Sequence, residues 1–309
     1  MRRLFRRILW FLLIVFVLVN GIAAMHAWHF THFDATTTAK TPEKGLSIIQ
    51  KLGILFTGVR NPKPLNSVTP DTIYQTITLK SDVRLEGWWL PVPAPKGTVL
   101  LLHGYGGSKA GLLNYATQFR RFGYNTLLLD FRGAGGSAGD QCTIGYKEAA
   151  DVTAAVRFLN ERGEKNIYLF GTSMGAAAAL RALATDSLPV KGAIIECPFG
   201  SMLQTVKNRF HTQGVPTFPL AHLLLFWGGV ENGFNAFAHN PEAYASSVRC
   251  PVLLLWGAKD EKVTQAETDR IYAHLQGPKK LVVFPEAGHE NYLRKYAPEW
   301  TAAVDDFLP

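Results

Sequence analysis

The sequence predicts an α/β protein with a mostly parallel central sheet, helices on both faces, a short cap insertion and an N-terminal membrane helix. Three observations carry that reading. Short apolar runs such as "GTVLLLHG", "NIYLFG" and "CPVLLLWG" are continuous rather than alternating, as strands buried on both faces are. Helix-like stretches separate them in regular succession, the order that lays helices over a parallel sheet. At the amino end, four arginines precede a long uncharged apolar segment.

That segment comes first. Arg2, Arg3, Arg6 and Arg7 are followed by twelve apolar residues, Ile8 to Val19, and the uncharged stretch reaches 18 residues at Met25. Eighteen is just enough to span a bilayer. A charged start and a short apolar core also fit a signal peptide, with Ala24 or Ala27 before the cleavage site. The small-x-small pattern is poor there, which favours an uncleaved signal anchor over residues 1–28. Either way the arginines stay in the cytoplasm and the rest is exported, periplasmic or extracellular. Next, "HAWHFTH" spaces His26, His29 and His32 by three. Metal ligands on one helix face would be so spaced, but polar and aromatic residues settled at a membrane interface beside Trp28 explain them more simply. Residues 29–71 read as a connector, in which "GLSIIQKLGILFTG" is a short amphipathic helix lying against the membrane or the domain.

Regular alternation begins at residue 72. "TIYQTITL" alternates like an exposed edge strand, with "RLEGWWLP" as its hairpin partner. "GTVLLLHG", a helix over roughly 110–122, "YNTLLLDFRG", a helix around 147–162 and "NIYLFG" follow. Beyond them come an Ala-rich helix, "VKGAIIE", "CPVLLLWG", a helix near 265–276, "KKLVVFP" and a terminal helix near 292–307. The stretch from about 198 to 248 breaks the pattern and contains "FPLAHLLLFWGG". It reads as a cap inserted over the sheet edge, its apolar part a buried cap helix or a membrane-contacting lid. No internal repeat or low-complexity segment occurs.

Charge excludes one class of partner. The net +8 falls to +4 without the four terminal arginines, and no basic run with interleaved aromatics remains in the body, so nucleic acid is not an expected partner.

The chemistry lies at the strand ends. "GTSMG" is G-x-S-x-G between a buried strand and a helix. Glycines 171 and 175 allow a sharp turn that thrusts Ser173 Oγ upward and aims the Met174 N–H at whatever the serine attacks. The plain structural use of such a serine is a helix N-cap. A serine nucleophile needs a base, and the base needs an orienting acid. His289, after the last strand, and Asp260, past the strand before it, supply them in the order Ser, Asp, His. Glu261 is the rival acid and His103 the rival histidine. The Tyr105 N–H, after "LLLHG", is placed to be the second oxyanion donor beside Met174. His103 itself reads as a brace for that loop. "LLLDFRGAGGSAGD" lacks both phosphate-binding fingerprints and reads as a structural loop.

Taken in order, "HGYGGS", "DFRGAGGSAG", "GTSMG", "WGAKDEKV" and "AGHENY" resemble the α/β-hydrolase superfamily, and within it the Bem46-like, prolyl-oligopeptidase-related serine hydrolases. The resemblance covers roughly residues 72–308. It implies a Ser173, Asp260, His289 triad and a hydrolase, resembling carboxylesterases, that needs no metal or organic cofactor. It brings no substrate, because esterases, lipases, thioesterases and peptidases share the fold. The apolar cap and tether point to an acyl or lipid-like ester, with membrane contact through the N-terminal helix. Amide or peptide cleavage is the alternative, and a non-catalytic interaction protein the third reading. Cys142, Cys197 and Cys250 are odd in number; they read as small inert residues, with a 142–197 bridge as the pairing an exported chain permits.

Overall fold

The computed structural model describes residues 1–42 and 45–309. Among these described residues eight strands form one sheet: β1 (Gln75–Lys80), β2 (Arg84–Leu90), β3 (Gly97–Leu102), β4 (Tyr124–Asp130), β5 (Ile167–Thr172), β6 (Val190–Glu196), β7 (Val252–Gly257) and β8 (Lys279–Phe284). Their spatial order is β1-β2-β4-β3-β5-β6-β7-β8. β1 and β2 pair antiparallel, as do β2 and β4, and every other pair is parallel. The exchange of β3 and β4 in that order follows from crossover connections, which a hairpin meander would not need.

The helices, in chain order, are α1 (Arg2–Thr31), α2 (Ile48–Thr57), α3 (Leu113–Arg121), α4 (Glu148–Glu161), α5 (Met174–Thr185), α6 (Met202–Thr212), α7 (Leu220–Asn232), α8 (Pro241–Ala245), α9 (Gln265–His274), α10 (Tyr292–Lys295) and α11 (Ala297–Phe307). Strand side chains alternate between faces, so each apolar run serves two cores. Leu100, Leu102, Leu127, Leu129 and Leu254 pack with Val152, Val156, Ala176 and Ile271 from α4, α5 and α9. Val99, Leu101, Leu128, Leu253 and Leu255 face the other way, onto Tyr115, Phe119, Trp300 and Val304 from α3 and α11. This double burial is why the strands read as unbroken apolar runs.

Two element boundaries differ from those the sequence predicts. The terminal helix is divided at Tyr296, which leaves the helical region at φ −125° and ψ 45°, with a proline in the first turn of α11. Pro298 has no N–H to continue a helix from α10, so a new one starts there. At the amino end α1 runs on to Thr31, past the boundary expected at 28. Its polar residues bond back along the helix: Asn20 Nδ2 donates to the Phe16 carbonyl and Thr31 Oγ1 to that of Ala27.

α1 is long and apolar enough to cross a membrane. Leu4 to Leu18 are exposed, whereas Ala23 and Ala27 are buried. The buried side meets α7, where Trp227 Nε1 donates to Asn20 Oδ1 at 3.1 Å and Gly228 faces the Ala27 methyl. Small residues on both helices permit that approach. α6, α7 and α8 occupy the 198–248 interval between β6 and β7. A cluster of Phe199, Met202, Leu225, Ala236, Trp256 and Val263 with Ala177 of α5 ties them to the sheet. Beyond α1, His32 bridges to Gln141, and Asp34 to Pro62, so the chain leaves the helix along the loop after β4.

The loop after β4 is held by buried charge. Asp130 accepts from the Lys109 Nζ at 2.5 Å and from the Lys109 and Gly136 backbone N–H groups at 2.7 and 2.8 Å. Lys109 is fully buried, also paired with Glu86, and lies over the Trp88 ring. Arg132 grips Asp151 through Nε and a terminal nitrogen at 3.0 and 2.7 Å. These residues are engaged within the fold, as the structural reading of "DFRGAGGSAGD" expects.

Candidate active site

The site grows from the turn between β5 and α5. Ser173 sits at φ 49° and ψ −108°, a conformation that costs on the order of 1–3 kcal/mol for a residue with a Cβ. The residues two positions to either side must be glycine. A Cβ on Gly175 would lie 2.3 Å from the Leu102 carbonyl oxygen, and one on Gly171 2.7 Å from the Gly175 backbone. The turn is tied down by the Ser173 N–H, which donates to the Glu196 carbonyl at 2.8 Å, and by the Ala177 N–H, which donates back to the Ser173 carbonyl. Ser173 occupies the N-cap position of α5, yet its side chain makes no capping bond. Its hydroxyl lies 3.1 Å from His289 Nε2 instead.

His289 stands on the loop after β8, and its Nδ1 lies 2.7 Å from Asp260 Oδ2. A carboxylate only accepts, so Nδ1 carries the proton and Nε2 is left as an acceptor facing Ser173. Asp260 is buried; its other oxygen takes the Lys262 and Val263 N–H groups at 2.7 and 2.9 Å. The rival Glu261 does not take the Nδ1 proton. Two backbone bonds, Ala258 N–H to the Phe284 carbonyl and Lys259 N–H to that of Ala287, lock the Asp260 loop to the His289 loop. The structure thus brings together all three residues that the sequence put forward.

The two backbone N–H groups that the sequence puts forward follow Ser173 and Gly104 directly in the chain. Met174 is the first residue of α5, where an N–H has no intrahelical carbonyl to meet. Gly104 comes within 3.7 Å of the Ser173 Cβ, measured from where its own Cβ would stand, and Tyr105 follows it. The rival His103 is buried and braces this loop: Nδ1 donates to the Gly104 carbonyl and Nε2 accepts the Phe131 N–H. Burial pushes its pKa down, which keeps the ring neutral for that double role.

The three cysteines are free, so the 142–197 bridge is not formed. Cys142 donates its thiol to the Met174 sulfur at 3.4 Å. Cys197 lies with Asp260 and His289 in the one cluster, among the described residues, whose atoms are close enough to share a metal ion. Burial, with Glu196 and Asp260 nearby, pushes the Cys197 thiol well up, and Asp260 and His289 are already bonded to each other. A protonated thiol beside a committed pair is a poor ligand set. His26 and His32 bond separately, to the Leu55 carbonyl and to Thr31, and do not converge.

Two features of the site have no signature in the sequence. The Tyr105 phenol donates to the Phe30 carbonyl at 2.7 Å, so the end of α1 reaches the loop after β3, and Asn61 bonds both that phenol and the His29 carbonyl. Glu196, at the end of β6, is fully buried and accepts from Tyr115 Oη at 2.7 Å and Trp300 Nε1 at 3.0 Å. Burial nevertheless pushes its carboxyl from 4.5 up to about 7. Below pH 4.5 it is protonated folded and unfolded alike. As pH rises to about 7 only the unfolded chain releases the proton, and folding loses on the order of 3 kcal/mol, constant above that range. Glu196→Gln, neutral throughout, is therefore expected to melt several degrees above the wild type at pH 8 and to converge with it near pH 4.5 in parallel thermal scans.

Comparison with known proteins places these residues in context. The family model described as serine aminopeptidase, S33, matches residues 93–227. An uncharacterized protein of Bacillus subtilis, YqkD, is 27% identical over 72% of this chain and 75% of its own. Dipeptidyl aminopeptidase BIII of Pseudoxanthomonas mexicana is also 27% identical, over 76% of this chain but 36% of its own length. Among solved structures, the Pyrococcus furiosus esterase Pf2001 superposes with a TM-score of 0.69 at 26% identity, covering 80% of this chain and 96% of that one.

Proposed function

This chain belongs to the α/β-hydrolase superfamily, and we propose that within it the protein is a serine hydrolase that cleaves a carboxylic ester through an acyl-enzyme on Ser173. The observation that carries the proposal is the continuous relay Ser173 Oγ, His289 Nε2, His289 Nδ1, Asp260 Oδ2, with separations of 3.1 and 2.7 Å. Ser173 Oγ attacks the ester carbonyl carbon as its proton passes to His289 Nε2. Asp260 holds the tautomer and stabilises the imidazolium. The carbonyl oxygen becomes an oxyanion, received by the N–H groups of Met174 and Tyr105, each worth roughly 10² to 10³ in turnover. Collapse breaks the bond to the alcohol oxygen, and His289 returns its proton to the departing alcohol. Water then attacks the acyl carbon and gives a proton to His289; collapse breaks the acyl–Oγ bond, His289 returns the proton to Ser173 Oγ, and the acid leaves.

Amide cleavage uses the same groups, with His289 protonating an amine instead. The aminopeptidase description of the matching family model and the likeness to a dipeptidyl aminopeptidase favour that second reading; the likeness to an esterase over nearly its whole length favours the first. Turnover of an ester and an anilide with the same acyl group separates them. The ester is expected to have the higher kcat/KM by more than about tenfold, a difference above ~1.4 kcal/mol in the transition state. An anilide preference of that size would make the protein a peptidase.

The same proposal makes α1 an uncleaved anchor, with the arginines cytoplasmic and the hydrolase domain exported. Burial of Ala23 and Ala27 against the cap supports it, as does the Trp227–Asn20 bond, which cleavage after Ala24 or Ala27 would remove.

A further inference from the structure

α2 is a well-specified helix whose apolar side chains are left uncovered by the described residues. Ser47 and Gln50 close a complete capping box at its start, so its helical form is locally determined. No residue in it is buried. Ile48, Ile49, Leu52, Leu55 and Phe56 are between 42 and 82% exposed, and their spacing sets all five on one stripe of about 120°. Gln50, Lys51 and Thr57 lie off that stripe, as does Ile54, the one partly covered residue of the helix. The helix is fastened to α1: the Leu55 carbonyl accepts from His26 Nε2 at 3.1 Å, and Gly58 stacks so closely on the His29 ring that a Cβ would not fit.

The cap repeats the pattern on its own side of α1. α7 turns Trp227 and Gly228 to Asn20 and Ala27 and leaves Phe226 and Val230, one turn apart, half exposed. Phe218 and Phe237, flanking it, are exposed as well. Both helices therefore meet α1 between Asn20 and His29, where its continuously apolar, exposed length gives way to histidines and Trp28. That is the level at which a spanning helix leaves the hydrocarbon and enters the headgroups.

We propose that the α2 stripe and the exposed face of α7 lie in the bilayer interface around α1, so that the Ser173 site takes a membrane-borne, long-chain acyl ester. This substrate class rests on the ester-hydrolase reading above; the docking surface itself does not. Exposed apolar stripes beside a spanning helix are what an interfacial segment presents to lipid, and continuity with the exposed surface of α1 makes the bilayer, rather than a second protein, the occupant.

The test uses the full chain in phosphatidylcholine nanodiscs, with Cys250→Ala to leave only buried thiols. Bimane is attached to Leu52→Cys, Phe226→Cys or Lys165→Cys, the last at the amino end of β5 and so at the far end of the sheet. Nitroxide lipid is expected to quench the first two several-fold more than the third. Equal, weak quenching at all three positions overturns the docking surface. So does shielding of Leu52→Cys that grows with protein-to-lipid ratio, which would mean a second copy covers the stripe. Turnover of 4-methylumbelliferyl oleate dissolved in the bilayer is expected to fall about tenfold in Ile49→Ser/Leu52→Ser/Phe56→Ser, with the water-soluble acetate unchanged. Equal turnover of oleate in variant and wild type overturns the membrane-borne substrate. Failure of the wild type on both esters instead removes the hydrolase reading, and the quenching alone then decides the surface.

Discussion

Ser173→Ala is expected to lower ester turnover by roughly 10⁶-fold, the scale on which loss of a triad serine acts, while the melting temperature moves by no more than a few degrees. The serine hydroxyl makes no capping bond to α5 and meets His289 alone among the bonds that define the turn. The backbone at φ 49° is the same for alanine, so the strain of the turn is retained. The bonds that hold the turn, Ser173 N–H to the Glu196 carbonyl and Ala177 N–H to the Ser173 carbonyl, are main-chain bonds and survive. Single-turnover kinetics alongside thermal unfolding checks both halves. Ester hydrolysis within tenfold of wild type in a folded variant would remove Ser173 from the chemistry.

Asp260→Asn is expected to cost about 10⁴ in kcat. The variant keeps an oxygen for the Lys262 and Val263 N–H groups that Asp260 Oδ1 now accepts, so the loop keeps its shape. Its amide then offers a donor to His289 Nδ1. The imidazole answers by carrying its proton on Nε2, facing Ser173, where it cannot accept the serine proton. Geometry survives and the tautomer is wrong. Glu261→Gln, made in parallel, is expected to stay within a few-fold of wild type, because the Nδ1 bond goes to Asp260. Measuring kcat across pH for both variants distinguishes the loss of a proton acceptor from a loss of stability. A larger loss in Glu261→Gln would transfer the role to that residue.

Much of the sheet was legible because double burial writes the same signal into every inner strand. Leu100 and Leu101 face opposite cores, so neither can be polar and the run is unbroken. The site was legible for a related reason. The turn at Ser173 tolerates only glycine at 171 and 175, and a steric requirement so local appears directly as a short motif. What was not legible depends on contacts between distant parts of the chain. Tyr105 and Phe30 are separated by 75 positions, and nothing in "HGYGGS" or "HAWHFTH" marks them as partners. Lys109 reads as an ordinary surface lysine until Asp130 and Glu86 close around it. Its only hint is its place just beyond a glycine-rich strand end. Glu196 ends an apolar strand and is accommodated by Tyr115 and Trp300, which come from two other helices. The unburied stripe of α2 was visible as amphipathicity, but its register against α1 needed the structure.

The central claim is that Ser173 is an activated nucleophile held by His289 and Asp260. Treatment of the detergent-solubilised full chain with a fluorophosphonate, followed by peptide mapping of the adduct, tests it most directly. A single adduct on Ser173, absent in His289→Ala and slowed in Asp260→Asn, is the expected result. A folded wild-type protein that takes no label, or that takes it on a residue other than Ser173, would contradict it.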